Sequence, residues 1–403
     1  MRKFILSGIL ISLCSVLFAQ KSPPRELMRR LVTKDLAFSV QQYKSLMRNL
    51  PPGKMLKTYD AAADTLVTSD PEWWCSGFYP GTLWYLYEYS SDAVIKTEAE
   101  NRMAMLKGEA LDAGNHDLGF KIFCSFGNAY RITGEQKYKE SILIAAKSLA
   151  TRYRPSIKSI QSWDSSAMYK CPVIIDNLMN LELLEWSSKN GGGKQLDEIA
   201  VNHANTTIKN HFRVDYSSYH LVDYYLSTGE VMRKITRQGA ADSSAWSRGQ
   251  AWGLYGYTMM YRFTKNNQYL LQAEHIAKFI LNHPRLPVDK IPYWDFDAPG
   301  IPHTYRDASA AAIMASAFLE LGRYTTGQSR IRYITTAEKI IQTLSSPLYL
   351  AKQGTNGGFL LKHSVGAIPF KSEVDVPLTY ADYYFVEALM RYKNWYLKGT
   401  GKV

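Results

Sequence analysis

Three aspartates stand in settings unusual for a carboxylate. Asp117 lies in Asn115-His-Asp-Leu-Gly-Phe120, at the start of an expected helix. Asp176 lies in Val173-Ile-Ile-Asp-Asn-Leu-Met-Asn-Leu181, set among apolar side chains shortly after Pro172. Asp242 lies in Gly239-Ala-Ala-Asp-Ser-Ser244, directly before a helix, and reads most simply as its N-cap. Asp is a preferred capping residue, so Asp117 and Asp176 share that plain reading. Asp176 also has a chemical one. Val173, Ile174, Ile175, Leu178 and Met179 solvate a charge poorly, and burial raises a carboxyl pKa. A carboxyl still protonated near neutral pH can serve as a general acid. A helix N-terminus acts in the opposite direction and lowers the pKa. The sequence leaves that balance open.

A second group of residues suits ligand holding. In Ser244-Ala-Trp-Ser-Arg-Gly-Gln-Ala-Trp252, Arg248 and Trp252 are four apart and share a helix face. Gly249 between them would let a ligand or another backbone approach closely. Arg matches carboxylates in two-pronged fashion, and Trp offers sugars a flat apolar face. The plain alternative is a core Trp with an Arg capping a neighbouring helix. Trp74 stands in another aromatic cluster, Trp73-Trp-Cys-Ser-Gly-Phe-Tyr-Pro-Gly81. His220 and Gln238 stand in loop-like stretches, where a lone His is more often a satisfied structural residue than a catalyst. There is no nucleophile elbow, dinucleotide or phosphate glycine loop, or HExxH.

The elements that must position these residues read mostly as helix. A Thr precedes a Lys by fourteen positions three times: Thr133 and Lys147, Thr264 and Lys278, Thr325 and Lys339. The Thr intervals are 264 − 133 = 131 and 325 − 264 = 61, so the first is close to twice the second. This suggests a degenerate helical hairpin repeated about six times. Each copy would pair an apolar, Ala- and aromatic-rich helix with an amphipathic one. Residues 77–89, 118–130, 173–186, 245–261, 308–321 and 380–392 are the expected inner members. Six hairpins in a ring make an all-α (α/α)6 barrel around a central funnel, with the site at one rim. Residues 155–166 and the proline-rich 282–303 are expected rim loops.

Composition narrows the setting. Arg2 and Lys3, the apolar run from Phe4 to Phe18 and the small Ala19 read as a secretory signal over residues 1–19, too short for a membrane span. Export to the periplasm or beyond is the expectation, with lipidation at Cys14 the lesser one because Leu13 is bulky. Residues 20–403 contain no evident linker and are expected to form a single domain. Cys75, Cys124 and Cys171 then remain, an odd number without zinc-type spacing. The formal charge of +12 becomes 12 − 2 = +10 after loss of Arg2 and Lys3. Such a balance favours anionic partners. Dispersed basic residues and export point away from nucleic acid and towards acidic sugars.

At these residues the chain resembles glycoside hydrolase family 88, the unsaturated glucuronyl hydrolases. The resemblance spans about residues 73–392. It is carried by Trp74-Cys-Ser-Gly-Phe-Tyr-Pro-Gly81, His116-Asp-Leu-Gly-Phe120, Ile175-Asp-Asn-Leu-Met-Asn-Leu181, Ser247-Arg-Gly-Gln-Ala-Trp252 and Tyr293-Trp-Asp-Phe-Asp297. Tyr305-Arg-Asp-Ala-Ser-Ala310, Ser372-Glu-Val-Asp-Val-Pro377 and Tyr380-Ala-Asp-Tyr-Tyr384 complete the set. It implies an (α/α)6 barrel that hydrates the C4=C5 double bond of a terminal unsaturated uronic acid. By motif the proton donor falls on Asp176 and an assisting acid on Asp117. Substrate contacts fall on Trp74, His220, Gln238, Arg248 and Trp252, with both Trp residues as stacking faces and Arg248 as a polar or carboxylate contact. The implied partners are unsaturated acidic oligosaccharides, and Lys362-His-Ser-Val-Gly-Ala-Ile-Pro-Phe-Lys-Ser372 could meet sulfate on the next sugar. No metal or organic cofactor is implied. The similar family 105, which acts on unsaturated rhamnogalacturonyl units, and a non-catalytic carbohydrate-binding barrel are the alternatives.

Overall fold

The computed structural model describes residues 25–397. The expected leader, residues 1–19, and Cys14 lie outside the described residues.

Six helical units close a ring. Its inner members are α2 (Phe78–Ser90), a wide-turned π segment (Gly119–Gly127) running into α4 (Asn128–Thr133), α6 (Asn177–Ser187), α8 (Ser247–Thr264), α10 (Ala308–Tyr324) and α12 (Thr379–Tyr392). Each packs on the next, and α12 returns to α2. Outside them lie α3 (Ala93–Leu106), α5 (Gln136–Ala150), α7 (Gln195–His211), α9 (Asn267–Asn282) and α11 (Gly327–Leu344), while α1 (Arg25–Asn49) covers the α12–α2 seam. Sequence composition explains the two layers. In α10 the run Ala308-Ser-Ala-Ala-Ala-Ile-Met-Ala combines strong helix formers with small side chains, and both of its faces are buried. In α11 the buried Tyr333, Thr336, Ala337, Ile340, Ile341 and Leu344 recur at three and four, which is one face only.

The Thr–Lys repeat marks real hairpin corners. Thr133 and Thr264 end α4 and α8, and Thr325 follows α10, while Lys147, Lys278 and Lys339 sit on the outer partners. The interval of 131 spans the intervening pair α6 and α7, which turns at 188–192 instead.

Small antiparallel strands decorate the ends: β1 (Met55–Asp60) with β2 (Thr65–Ser69), β3 (Tyr153–Arg154) with β4 (Ser159–Ile160), β5 (Pro172–Ile174) with β6 (Leu221–Tyr224) and β7 (Val231–Ile235), and β8 (Ser364–Ala367) with β9 (Ser372–Val376). Two expectations are corrected here. The unit at 173–186 is not helical throughout: Val173 and Ile174 pair with Val222 and Leu221, and the helix begins at Asn177. Two β-branched residues after a proline favour extended backbone. Asp242 does not cap α8, whose N-cap is Trp246; its Oδ1 accepts from the Thr236 amide at 2.7 Å and closes the turn after β7.

Candidate active site

The inner helices all start at one rim. Trp74, ahead of α2, packs against Phe120 at 5.5 Å and Tyr380 of α12 at 5.0 Å, and Arg248 at the start of α8 meets Asp307 ahead of α10. Converging helix N-termini give this rim a positive bias that suits an anionic ligand.

Asp176 occupies the corner between β5 and α6. It holds the N-cap position of α6 with helical φ −57° and ψ −28°, yet its side chain makes no capping hydrogen bond. Its Oδ2 is shut off from solvent and has no protein partner. Burial pushes this carboxyl up to about 7, while Arg248 pulls it down and Asp117 adds to the rise. Desolvation therefore outweighs the helix terminus.

Asp117 precedes the π segment, which touches α6 closely. A β-carbon on Gly119 would lie 2.6 Å from both Cα and Oδ1 of Asn180. The Phe120 amide donates to that Oδ1 at 3.2 Å. Burial is again the main cause of the raised Asp117 pKa; His116, Lys121 and Asn180 oppose it. His116 Nε2 lies 3.4 Å from Asp117 Oδ2, and His116 Nδ1 lies 2.7 Å from Asn177 Oδ1.

His220 is buried on β5's neighbour side of the same corner, its carbonyl accepting from the Ile175 amide at 2.9 Å. Its Nδ1 accepts from the amides of Arg237 at 3.0 Å and Gln238 at 3.2 Å. Burial pulls the imidazole down to about 3, so it is neutral. With Nδ1 accepting, the hydrogen resides on Nε2, which has no protein partner. The ring lies 4.7 Å from that of Trp246.

Arg248 is buried and spends its donors on protein. Nη2 donates to Gln238 Oε1 and the Gly366 carbonyl, each at 2.7 Å, Nη1 donates to the Val365 carbonyl, and Asp307 lies 3.4 Å away. It fastens β8 to α8 and supplies positive field to Asp176. Gln238 is partly exposed and held by that arginine. Of the two tryptophans, Trp74 keeps an open portion, whereas Trp252 is 1% exposed between Phe120 and Tyr384. The structure thus brings Asp117 and Asp176 together, clamps Gln238 to Arg248 beside His220, and seats Trp252 in the aromatic floor beneath.

A cavity of about 390 Å³ opens at the other end of the ring, lined by Tyr85, Trp186, Arg262, Glu387 and Arg391 among others. Its charges are largely matched: Arg262 reaches Glu182 and Glu320 at 2.8 Å, and Arg391 reaches Glu320 at 3.0 Å and Glu387 at 3.3 Å. It contains neither rim aspartate. Among the described residues no cluster of His, Cys, Asp and Glu is arranged to hold a metal.

No family model matches the chain. An unsaturated glucuronyl hydrolase of Formosa agariphila is 46% identical over 327 residues, 81% of this chain and 81% of that one. The chain belongs to the unsaturated glucuronyl hydrolases. It is also 33% identical to an unsaturated chondroitin disaccharide hydrolase of Streptococcus agalactiae, over 94% of this chain and 96% of the relative. A solved unsaturated glucuronyl hydrolase specific for heparin superposes with a TM-score of 0.88 and 45% identity, over 92% of this chain and 98% of its own. The chain is therefore a glycosidase, and its ring is the (α/α)6 barrel of unsaturated glucuronyl hydrolases.

Several motifs that carried the resemblance prove to hold this glucuronyl hydrolase together. Asp295 accepts from Ala240 at 2.9 Å and Ser244 Oγ at 2.7 Å, and Asp382 accepts from the Leu360 and Leu361 amides at 2.8 and 2.9 Å. Asp307 caps α10 and contacts Arg248. His116, Asn177, Asn180 and Asp307 sit in motifs that sequence reasoning quoted without assigning them roles. The His116–Asn177, Phe120–Asn180 and Arg248–Asp307 contacts each span about 60 residues, and no local pattern announces them.

Proposed function

We propose that Asp176 protonates C4 of a terminal unsaturated uronic acid and then takes a proton from the water that adds at C5. One observation carries this reading: a rim carboxyl, raised to about 7, with an Oδ2 that no protein group satisfies. Such a group holds a proton at neutral pH, as a general acid must, and no protein acceptor competes for it. The C4=C5 electrons take the proton to form the C4–H bond, and the ring oxygen shares the positive charge left at C5. Water bonds to C5 and yields a proton to the Asp176 carboxylate, restoring the acid. The hemiketal opens to a C5 ketone, and the C1 hemiacetal expels the remaining sugar. Attack is not at C1, so the relation between carboxyl spacing and stereochemistry in ordinary glycosidases does not apply.

Asp117 is the second acid beside it. The unpartnered Nε2–H of His220 and the partly exposed Gln238 are donors for the uronate, and Trp74 gives the pyranose an apolar face. Arg248 acts through its positive field and through the strand it holds.

One relative is a chondroitin disaccharide hydrolase and a solved neighbour is specific for heparin. Glycosaminoglycan-derived unsaturated disaccharides are accordingly the substrate class we infer, and the 362–372 stretch, with its exposed Lys371, is our candidate for meeting a sulfate on the second sugar. The leader pattern supports export and a mature single domain from residue 20; N-terminal sequencing of the mature protein tests that.

A panel of sulfated and unsulfated lyase-made disaccharides, followed by loss of the ultraviolet absorbance of the conjugated double bond, tests the whole reading. Turnover of at least one member is expected, and none by Asp176→Asn. An active Asp176→Asn enzyme would overturn the assignment.

A further inference from the structure

Asn177 is buried, and its Nδ2 donates to the Ile160 carbonyl at 2.9 Å and to Ser162 Oγ at 3.1 Å. A carbonyl can only accept, so the amide nitrogen must face Ile160 and the amide oxygen must face His116. That oxygen, 2.7 Å from His116 Nδ1, can also only accept. Nδ1 therefore carries a hydrogen, and in the neutral ring Nε2 carries a lone pair. That nitrogen lies 3.4 Å from Asp117 Oδ2. Two acceptors then lie side by side, both largely covered, and a single proton between them resolves the conflict.

We propose that His116 and Asp117 share one proton, directed between them by the fixed amide of Asn177, and that this pair acts as the second acid of the site. The proton can rest as a carboxylic acid donating to imidazole or as an imidazolium donating to carboxylate; the pair is neutral in both. No neighbour supplies a simpler balance. Lys121 is already matched by Glu109 at 2.7 Å and Asp112 at 2.9 Å, and Arg152 by Asp164 at 3.0 Å. Across the site stand Asp176, which would repel a bare Asp117 carboxylate, and Arg248 beyond it. Asn180 faces Asp117 from α6, and the ring of Trp163 lies 6.4 Å from that of His116. Burial raises Asp117 and lowers His116, which favours the neutral acid and the neutral ring. His116 and Asn177 are thus positioning residues for Asp117.

The proposal rests on the reading of Asp117 as the assisting acid, but its test does not. Ring ¹⁵N NMR of the full-length enzyme reads the His116 tautomer directly. The expected result is a protonated Nδ1 with an Nε2 resonance that changes in Asp117→Asn. An Nε2–H tautomer, or a His116 that titrates freely and identically in Asp117→Asn, overturns proton sharing and leaves the role of Asp176 standing. In kinetics, His116→Phe should lower kcat by at least about tenfold, with KM within threefold and a displaced pH profile. His116→Gln, whose amide oxygen can accept from Asp117, should recover part of the loss. A His116→Phe enzyme with the wild-type pH profile also overturns the proposal.

Discussion

Gly119 lies so close to Asn180 that a β-carbon there would stand 2.6 Å from the asparagine Cα. This contact lays the segment after Asp117 against the helix after Asp176. The spacing of the two acids is thereby set by backbone packing rather than by flexible side chains.

Gly119→Ala must push the two segments apart, since the nearest atoms include main chain. A loss of about 1–3 kcal/mol in unfolding free energy is expected. Turnover should fall at temperatures where the variant is still fully folded. Urea unfolding alongside disaccharide assays at 20–25 °C checks both.

The pH profile should show Asp176 on its alkaline side. The donating form is the protonated one, present below about 7 and lost above it. Beyond that limb kcat/KM should drop about tenfold per pH unit. Arg248 pulls the Asp176 pKa down, so Arg248→Met should move the limb to higher pH. A limb that stayed in place would mean that Arg248 serves only to hold β8.

Asp176→Asn keeps size and shape but has no proton to give. Turnover should fall by roughly 10²–10⁴-fold. Disaccharide affinity should stay within a few fold, read by calorimetric titration.

Glu185 offers a stability test remote from the chemistry. It is buried on α6, neither carboxyl oxygen accepts from an N–H or hydroxyl donor, and burial, with the Asp197 carboxyl beside it, pushes it up to about 8. Its folded pKa exceeds the unfolded one, so the folded state binds the extra proton. Stability is full below the ordinary carboxylate range and declines as pH rises through about 8. Glu185→Gln carries no such penalty. It should gain on the wild type by on the order of 2–4 kcal/mol between pH 5 and pH 8. Thermal unfolding at the two pH values gives the comparison.

Much of the barrel was legible because its signals are local. Inner helices read as Ala- and aromatic-rich runs, outer ones as amphipathic stripes, and the Thr–Lys spacing marked three hairpin corners. The misreadings were local as well. Val173 and Ile174 lie in an apolar stretch that suits strand or helix alike, and pairing with Val222 and Leu221 decided for strand. Asp242 has the composition of a cap, but its helix starts five residues later at Ser247.

By itself the sequence determined the helical ring, the acids with their apolar surroundings, and the motifs of the family. Which way those acids titrate was decided only in three dimensions. Desolvation of Asp176 depends on every element packed around it, and a helix start would have argued for the opposite shift. Likewise Arg248 looked free to grip a ligand until Val365 and Gly366, well over a hundred residues onward in the chain, took its donors. The His116 tautomer follows from a carbonyl at Ile160 acting through Asn177. Charge and hydrogen bonding sum over neighbours in space, and a linear chain does not record who those neighbours are.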